Sequence, residues 1–137
     1  MSRYLRMLRE SGQNLLVFRG GELIFSSSSR GVRPLIEAVD EIGSDGLRGV
    51  VTADRIVGRA AALLNAYMGA MEVHALLISS SAKEALSENK IGFVFLEETD
   101  AIKARDGVVF CPFERLVQGV LDPEEAYQRI REKLAEL

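Results

Sequence analysis

Residues 14–42 read NLLVFRGGELIFSSSSRGVRPLIEAVDEI, and this stretch decides the fold. It opens with two apolar runs, at 14–18 and 22–25. Gly20-Gly21 separates them, and a Gly-Gly pair is a strong two-residue hairpin signal because both residues tolerate a positive φ. We therefore predict that the sheet begins with an antiparallel hairpin.

Beyond the hairpin, helical and strand patterns alternate. Apolar residues recur at helical spacing over 32–42, and Pro34 confines the helix start to 32–34 because proline is tolerated only in a first turn. Short apolar runs at 49–52, 72–78 and 91–96 predict strands. With a short amphipathic helix before the hairpin, the expected order is α-β-β-α-β-α-β-α-β-α-α. This order predicts an α/β fold, a three-layer α-β-α sandwich with a mixed sheet.

Three helix starts are predicted from capping residues. Asp54 is a good N-cap for an almost entirely apolar helix to about Gly69, which should lie centrally. Ser81 and Glu84 have capping-box spacing for a helix to about residue 88. Asp122-Pro123 marks the start of the last helix. Between these helices, 99–107 is loop-like and 108–110 is an apolar run.

Composition predicts one domain, residues 1–137, in the cytoplasm. The net charge is −3, so neither nucleic acid nor anionic lipid is an expected partner. No run approaches the roughly 20 apolar residues of a membrane span, and the first residues lack the apolar segment of a signal peptide. A single cysteine cannot form an internal disulfide, which fits a reducing compartment.

Three segments carry a family resemblance. They are Gly31-Val32-Arg33-Pro34-Leu35, Asp54-Arg55-Ile56-Val57-Gly58-Arg59-Ala60-Ala61 and Cys111-Pro112-Phe113-Glu114. By them the chain is similar, over about residues 12–130, to an uncharacterised prokaryotic domain family that is assigned to the cytidine-deaminase-like superfamily. The order of elements also resembles that of the cytidine-deaminase-like fold. The resemblance implies a fold and the place of a site, but no reaction, since that family has no established activity.

The zinc site of that fold is missing from this sequence. In the family's fold, one zinc ligand and a catalytic glutamate start the helix after the hairpin, and two cysteines start the helix after the third strand. Here 31–34 reads Gly-Val-Arg-Pro and 52–57 reads Thr-Ala-Asp-Arg-Ile-Val. The chain has one Cys, Cys111, and one His, His74, whereas a protein zinc site takes three or four ligands. We expect no metal, no other cofactor and no deaminase activity.

The two helix starts nevertheless form a candidate ligand site. Arg33 and Arg55 would pair with an anionic or nucleotide-like group at the helix N-termini, and Thr52 and Asp54 would orient polar edges. The alternative is that Asp54 is only a cap and that both arginines are solvated or paired with acids.

The serines before the first of these helices are a further candidate. Ser28 and Ser29 could contribute hydroxyls to a phosphate. The serine stretch could equally be a flexible loop with one capping serine.

Cys111 is the one candidate catalytic residue. At a helix start its thiol could act as a nucleophile or a redox centre, with Glu114 able to contact it or to cap the helix. The alternative is a buried, inert cysteine, because free cysteine is among the most buried residue types. The base that such a nucleophile needs could only be His74, whose place inside a strand favours a structural role.

Three functions follow from these candidates. The first is a metal-independent domain that binds an anionic or nucleotide-like small molecule. The second is a Cys111-dependent enzyme or redox-sensitive protein. The third is a non-catalytic assembly subunit that forms a homo-oligomer.

Overall fold

A five-stranded mixed sheet forms the centre of the protein in a computed structural model, which describes residues 1–102 and 111–137. The strands are β1 (Leu15–Arg19), β2 (Glu22–Ser27), β3 (Val51–Val57), β4 (Glu72–Ser79) and β5 (Gly92–Thr99). Their order across the sheet is β2-β1-β3-β4-β5. β1 runs antiparallel to both of its neighbours, whereas β3, β4 and β5 are parallel to one another.

Six helices accompany the sheet in the described ranges. They are α1 (Arg3–Ser11), α2 (Arg33–Ile42), α3 (Arg59–Met68), α4 (Ser80–Glu88), α5 (Pro112–Leu116) and α6 (Pro123–Ala135). The order of all eleven elements along the chain is the predicted one, so the expectation of a mixed α/β fold that opens with a hairpin is confirmed. The hairpin turns at Gly20 and Gly21, which have φ values of 57° and 84°.

Helices cover both faces of the sheet. On one face, Leu5 and Leu8 of α1 pack with Leu16, Phe18 and Ala53 of the sheet. The larger core lies on the other face and takes buried apolar residues from β1, β3 and β4 and from α2, α3, α4 and α6. The sheet is therefore the middle layer between α1 and the remaining helices, as in an α/β sandwich.

His74 of β4 holds α1 against the sheet. Its ring is 4% exposed; Nδ1 lies 2.8 Å from the Ser2 Oγ and Nε2 lies 2.5 Å from a Glu72 oxygen. The Ser2 hydroxyl also accepts a hydrogen bond from the Leu5 N–H, and the Tyr4 ring packs edge-on to the imidazole at 4.9 Å. His74 thus has the structural role that its strand position favoured.

The predicted helix start at Asp54 is wrong. Asp54 lies inside β3, opposite Leu15 of β1 and Ala75 of β4. The parallel pairing of β3 with β4 continues to Val57, and the helix begins only at Arg59. Pairing with two neighbouring strands has overridden the local capping preference of an aspartate.

Of the other two predicted caps, the one at Ser81 is wrong and the one at Asp122 is confirmed. α4 is capped by Ser79, whose Oγ accepts from the Ala82 N–H at 3.1 Å, and not by Ser81. Asp122 caps α6 as predicted, accepting from the Glu124 N–H at 3.2 Å.

The predicted loop 99–107 is in part, and the apolar run 108–110 entirely, outside the described residues. No helix in the described ranges has the length and apolar character needed to cross a membrane.

Candidate functional site

A cavity of about 740 Å³, here called the main cavity, opens where β2 and β3 end and β1 begins. The starts of α2 and α3 also reach it. Much of its wall is apolar, formed by Val32, Ile56, Ala61, Ile102 and Phe113. Volumes of roughly 300–1,000 Å³ with such walls are typical of small-molecule sites.

The structure brings Ser28, Asp54, Arg55, Cys111 and Glu114 together around the main cavity. These five predicted site residues come from distant parts of the chain. Cys111 and the starts of α2 and α3 line the same cavity. The sequence alone could not show that they lie close together.

The three remaining predicted residues are not part of that wall. Thr52 is fully buried and its hydroxyl donates to the Asn65 side-chain oxygen at 2.7 Å, so it joins β3 to α3. The Ser29 hydroxyl donates to a Glu37 carboxylate oxygen at 2.8 Å. Arg33 is exposed at the first residue of α2. Because β3 continues to Val57, Thr52 lies well short of the strand end where ligands bind.

The start of α3 is capped by a carboxylate from another helix. Glu114 of α5 is 6% exposed and accepts from the Arg59 N–H at 2.6 Å and from the Ala60 N–H at 2.8 Å. The N-cap residue, Gly58, has no side chain to do this. Burial raises the pKa of the Glu114 carboxyl, against the opposing effect of the two N–H donors and of the Arg59 charge.

Gly58 has a steric reason to be glycine. A Cβ at this position would lie 2.4 Å from a Glu114 carboxylate oxygen. The backbone φ of −97° suits any residue, so the restriction comes from this contact alone. The role of Gly58 depends on Glu114, a residue 56 positions further along the chain, which no local pattern reveals.

Asp54 presents a buried carboxyl to the main cavity. It is 6% exposed, and burial raises its pKa from 3.8 to about 7; hydrogen bonds from the backbone at Ile56 and Arg55 and the Arg55 charge oppose the rise. At neutral pH this group is therefore divided between its protonated and ionised forms. It can donate a hydrogen bond in one form and accept one in the other.

Backbone contacts hold the basic side of the cavity in place. The Arg55 Nε donates to the Gln13 carbonyl at 2.9 Å. The Asn14 amide donates to the carbonyls of Ser28 and Ser29 at 2.9 and 3.0 Å, which ties the start of β1 to the end of β2. Arg30, which sequence analysis missed, adds a second arginine to the wall. Its place directly before Gly31 at the α2 start was the available signal.

Cys111 is partly buried and lies immediately before α5. Its backbone N–H donates to the Ile102 carbonyl at 3.2 Å. His74, the one imidazole in the chain, is not in the main cavity wall, since it is bound between Ser2 and Glu72. The cysteine therefore has neighbouring carboxyl groups but no histidine base.

The residues at the two helix starts do not fit a zinc ion. Gly31 and Val32 at α2 and Gly58 at α3 offer no ligand, and the Glu114 carboxylate already accepts the first N–H groups of α3. Within 1–102 and 111–137, no three His, Cys, Asp or Glu side chains are grouped to hold a metal. The N-cap of α3 is Gly58, four residues after the predicted Asp54, so the residues at the observed helix start differ from those considered in the sequence.

Comparison with known proteins identifies the family. Residues 3–134 match the TM1506 family, described as a domain of unknown function (DUF1893), and the chain belongs to that family. It is similar to a DUF1893 family protein, TM1506, of Thermotoga maritima, with 30% sequence identity and a TM-score of 0.83. The match covers 100% of this chain and 92% of the Thermotoga chain. No curated protein matches the sequence.

Gly58→Ala should destabilise the fold through Glu114. Overpacking against the carboxylate should lower the free energy of unfolding by about 1–3 kcal/mol, measured by urea denaturation. In a Glu114→Ala background the obstacle is gone, so the cost of the same change should be smaller by about 1 kcal/mol or more. An equal cost in both backgrounds would show that the contact with Glu114 is not the reason for glycine.

Asp54 should make the protein less stable as the pH rises. Its pKa is about 7 in the folded state and 3.8 when its carboxyl is in water, as in the unfolded chain, so only the unfolded state loses the proton between these values. The contribution of Asp54 to the free energy of unfolding should therefore fall between about pH 4 and pH 7, by roughly 4 kcal/mol in total. Urea denaturation at a series of pH values measures this decline.

Asp54→Asn should reduce the decline, because the amide does not titrate, and the buried Glu114 carboxyl accounts for part of what remains. Asp45→Asn, at an exposed position, is the matched control and should leave the decline as in the wild type. If Asp54→Asn and the wild type lose the same stability between pH 4 and pH 7, Asp54 does not titrate as described.

Proposed function

We propose that this member of the DUF1893 family is a metal-independent small-molecule binding domain, and that its ligand occupies the main cavity. The observation that carries the proposal is the composition of the wall. A cavity of about 740 Å³ combines apolar surface with a buried carboxyl at Asp54 and two arginines, Arg30 and Arg55. Such a combination of apolar wall and few polar groups is typical of organic ligand sites.

We further propose that the fold is cytidine-deaminase-like without the zinc chemistry. The predicted order of elements and the position of the cavity support this. In that fold the zinc ligands begin the helices after the hairpin and after the third strand, which here are α2 and α3. Both helix starts contribute to the main cavity, through Gly31 and Val32 and through Gly58.

The proposed ligand carries a flat apolar ring and an anionic group, as a nucleotide does. The ring would lie against Phe113 and Ile56. Asp54 would hydrogen-bond to a ring N–H in its ionised form, or to a ring nitrogen or carbonyl in its protonated form. Arg30 and Arg55 would pair with the anion.

Native mass spectrometry of the purified, tag-free protein with the ribonucleoside 5′-monophosphates tests this proposal. At least one nucleotide should bind with a stoichiometry of one, and its nucleoside should bind more weakly because it lacks the anion. Arg55→Met should weaken nucleotide binding about tenfold or more, the size of a lost charge-assisted hydrogen bond. Arg19→Met, at an exposed position on β1, is the control and should not change binding.

The proposal fails if no nucleotide binds at millimolar concentration, or if Arg55→Met binds as the wild type does. Stoichiometric zinc in metal analysis of the same sample would overturn its metal-independent part.

A Cys111-dependent activity is the second candidate, favoured by the position of Cys111 in the main cavity wall with Asp54 and Glu114. Denaturing mass spectra of the same sample distinguish it. An adduct that survives denaturation and maps to Cys111 would favour covalent or redox chemistry over simple binding.

An assembly role is the third candidate, and the edge strand β5 favours it. Val94, Phe95 and Leu96 are between 36% and 45% exposed, and among the described residues β5 pairs with β4 alone. Long apolar edge strands are sites where a second copy can pair. A dimer in the native spectra that Leu96→Lys converts to monomer would support this role.

A further inference from the structure

A second cavity, of about 350 Å³, shares Glu114 with the main cavity and none of its other lining residues. It lies at the carboxyl end of β4 and the start of α4, beside Ala101 and the turn between α5 and α6. Nothing in the proposed function uses it.

A buried arginine forms one wall of the second cavity. Arg59 is 8% exposed. Its Nη2 donates to the Val120 carbonyl at 2.6 Å, and its Nη1 makes a long contact of 3.4 Å with the Ser81 hydroxyl. Its Nε is buried without any hydrogen-bond partner, and Arg59 forms no ion pair within the described part of the chain.

A buried guanidinium without an ion-pair partner is unusual. Burial of a charge is unfavourable unless a counter-charge and full hydrogen bonding compensate it. The Glu114 carboxylate, which lines the same cavity, is already bound to two backbone N–H groups. Nε itself is closed to a ligand, but an anionic group beside the Nη atoms would supply the counter-charge that the Arg59 guanidinium lacks.

The floor of the cavity around Arg59 suits an anion. The Ser79 and Ser81 hydroxyls line it, and both stand at the start of the nine-residue helix α4. The Ser79 hydroxyl already accepts from the Ala82 N–H, and the N–H groups before it have no partner in the helix itself and carry partial positive charge.

The rim of the cavity has the opposite character. Glu84, Glu88 and Asp100 line it, and all three are exposed. These carboxylates would repel a phosphate dianion approaching Arg59, but they would attract an ammonium group.

We propose that the second cavity binds a small zwitterion, with a free α-amino acid as the chemical class. Its carboxylate would pair with the Arg59 guanidinium beside Ser79 and Ser81, and its ammonium group would face the carboxylates of Glu84, Glu88 and Asp100. A volume of about 350 Å³ is at the small end of the range for ligand sites, which suits a molecule of this size.

Isothermal titration calorimetry of the full chain with each of the twenty L-amino acids tests the proposal. Acetate, methylammonium and inorganic phosphate serve as probes that carry only one of the two charges. At least one amino acid should bind, and it should bind more tightly than all three probes. If no amino acid binds at millimolar concentration, or if acetate or phosphate binds as tightly as the best amino acid, the zwitterion site is refuted.

Substitutions in the two cavities show which cavity binds the amino acid. Arg59→Lys should weaken the amino acid at least tenfold, because a lysine cannot reproduce the guanidinium geometry. Arg115→Lys, at an exposed position on α5, is the matched control, and Arg55→Met removes a main-cavity residue; neither should change amino-acid affinity. Loss of amino-acid binding in Arg55→Met would place it in the main cavity and overturn the proposal.

A rim variant keeps the test decisive if Arg59→Lys does not fold. Glu84→Gln/Glu88→Gln alters exposed side chains and should weaken the amino acid about threefold or more while leaving acetate binding unchanged or tighter. Unchanged amino-acid affinity in this double variant would contradict the role of the rim.

Discussion

The carboxylate of Glu114 at the start of α3 is the contact on which the organisation of both cavities depends. α3 is the central helix, and its first residues are buried, so water cannot serve its free N–H groups. Gly58 has no side chain with which to cap them. A carboxylate from α5 does so instead, and in doing so it fixes α5 against α3. The same contact positions Cys111 and Phe113 in the wall of the main cavity, because these two residues flank the start of α5.

This contact also determines which charges each cavity can offer. At the N-terminus of α3, which faces the main cavity at Gly58, the Arg59 and Ala60 N–H groups are already bound to Glu114 and are not free for a ligand. An anion in the main cavity would therefore depend on Arg30 and Arg55 and on the start of α2. Arg59, one residue after Gly58, has its guanidinium in the wall of the second cavity. Two adjacent residues of one helix start thus belong to different sites.

The sequence predicted the order of elements and the hairpin because both rest on local patterns. The Gly20-Gly21 turn and the alternation of helix and strand periods need no knowledge of distant residues. The motifs also named residues that lie together, since Cys111, Glu114 and Asp54 line one cavity. The second cavity was not predicted, because the residues that meet Arg59 there come from 79–121, far along the chain.

Asp54 is a residue whose structure local sequence rules do not predict. An aspartate between a short apolar run and an apolar helix satisfies the N-cap rule, and a cap would be solvated and ionised. The extent of β3 is set by its partners: β1 pairs with it as far as Asp54, and β4 pairs with it on to Val57. That pairing buries the carboxyl and raises its pKa to about 7. The same residue thus changes from a permanent charge to a group that can exchange a proton at neutral pH, and its burial in the folded protein makes the difference.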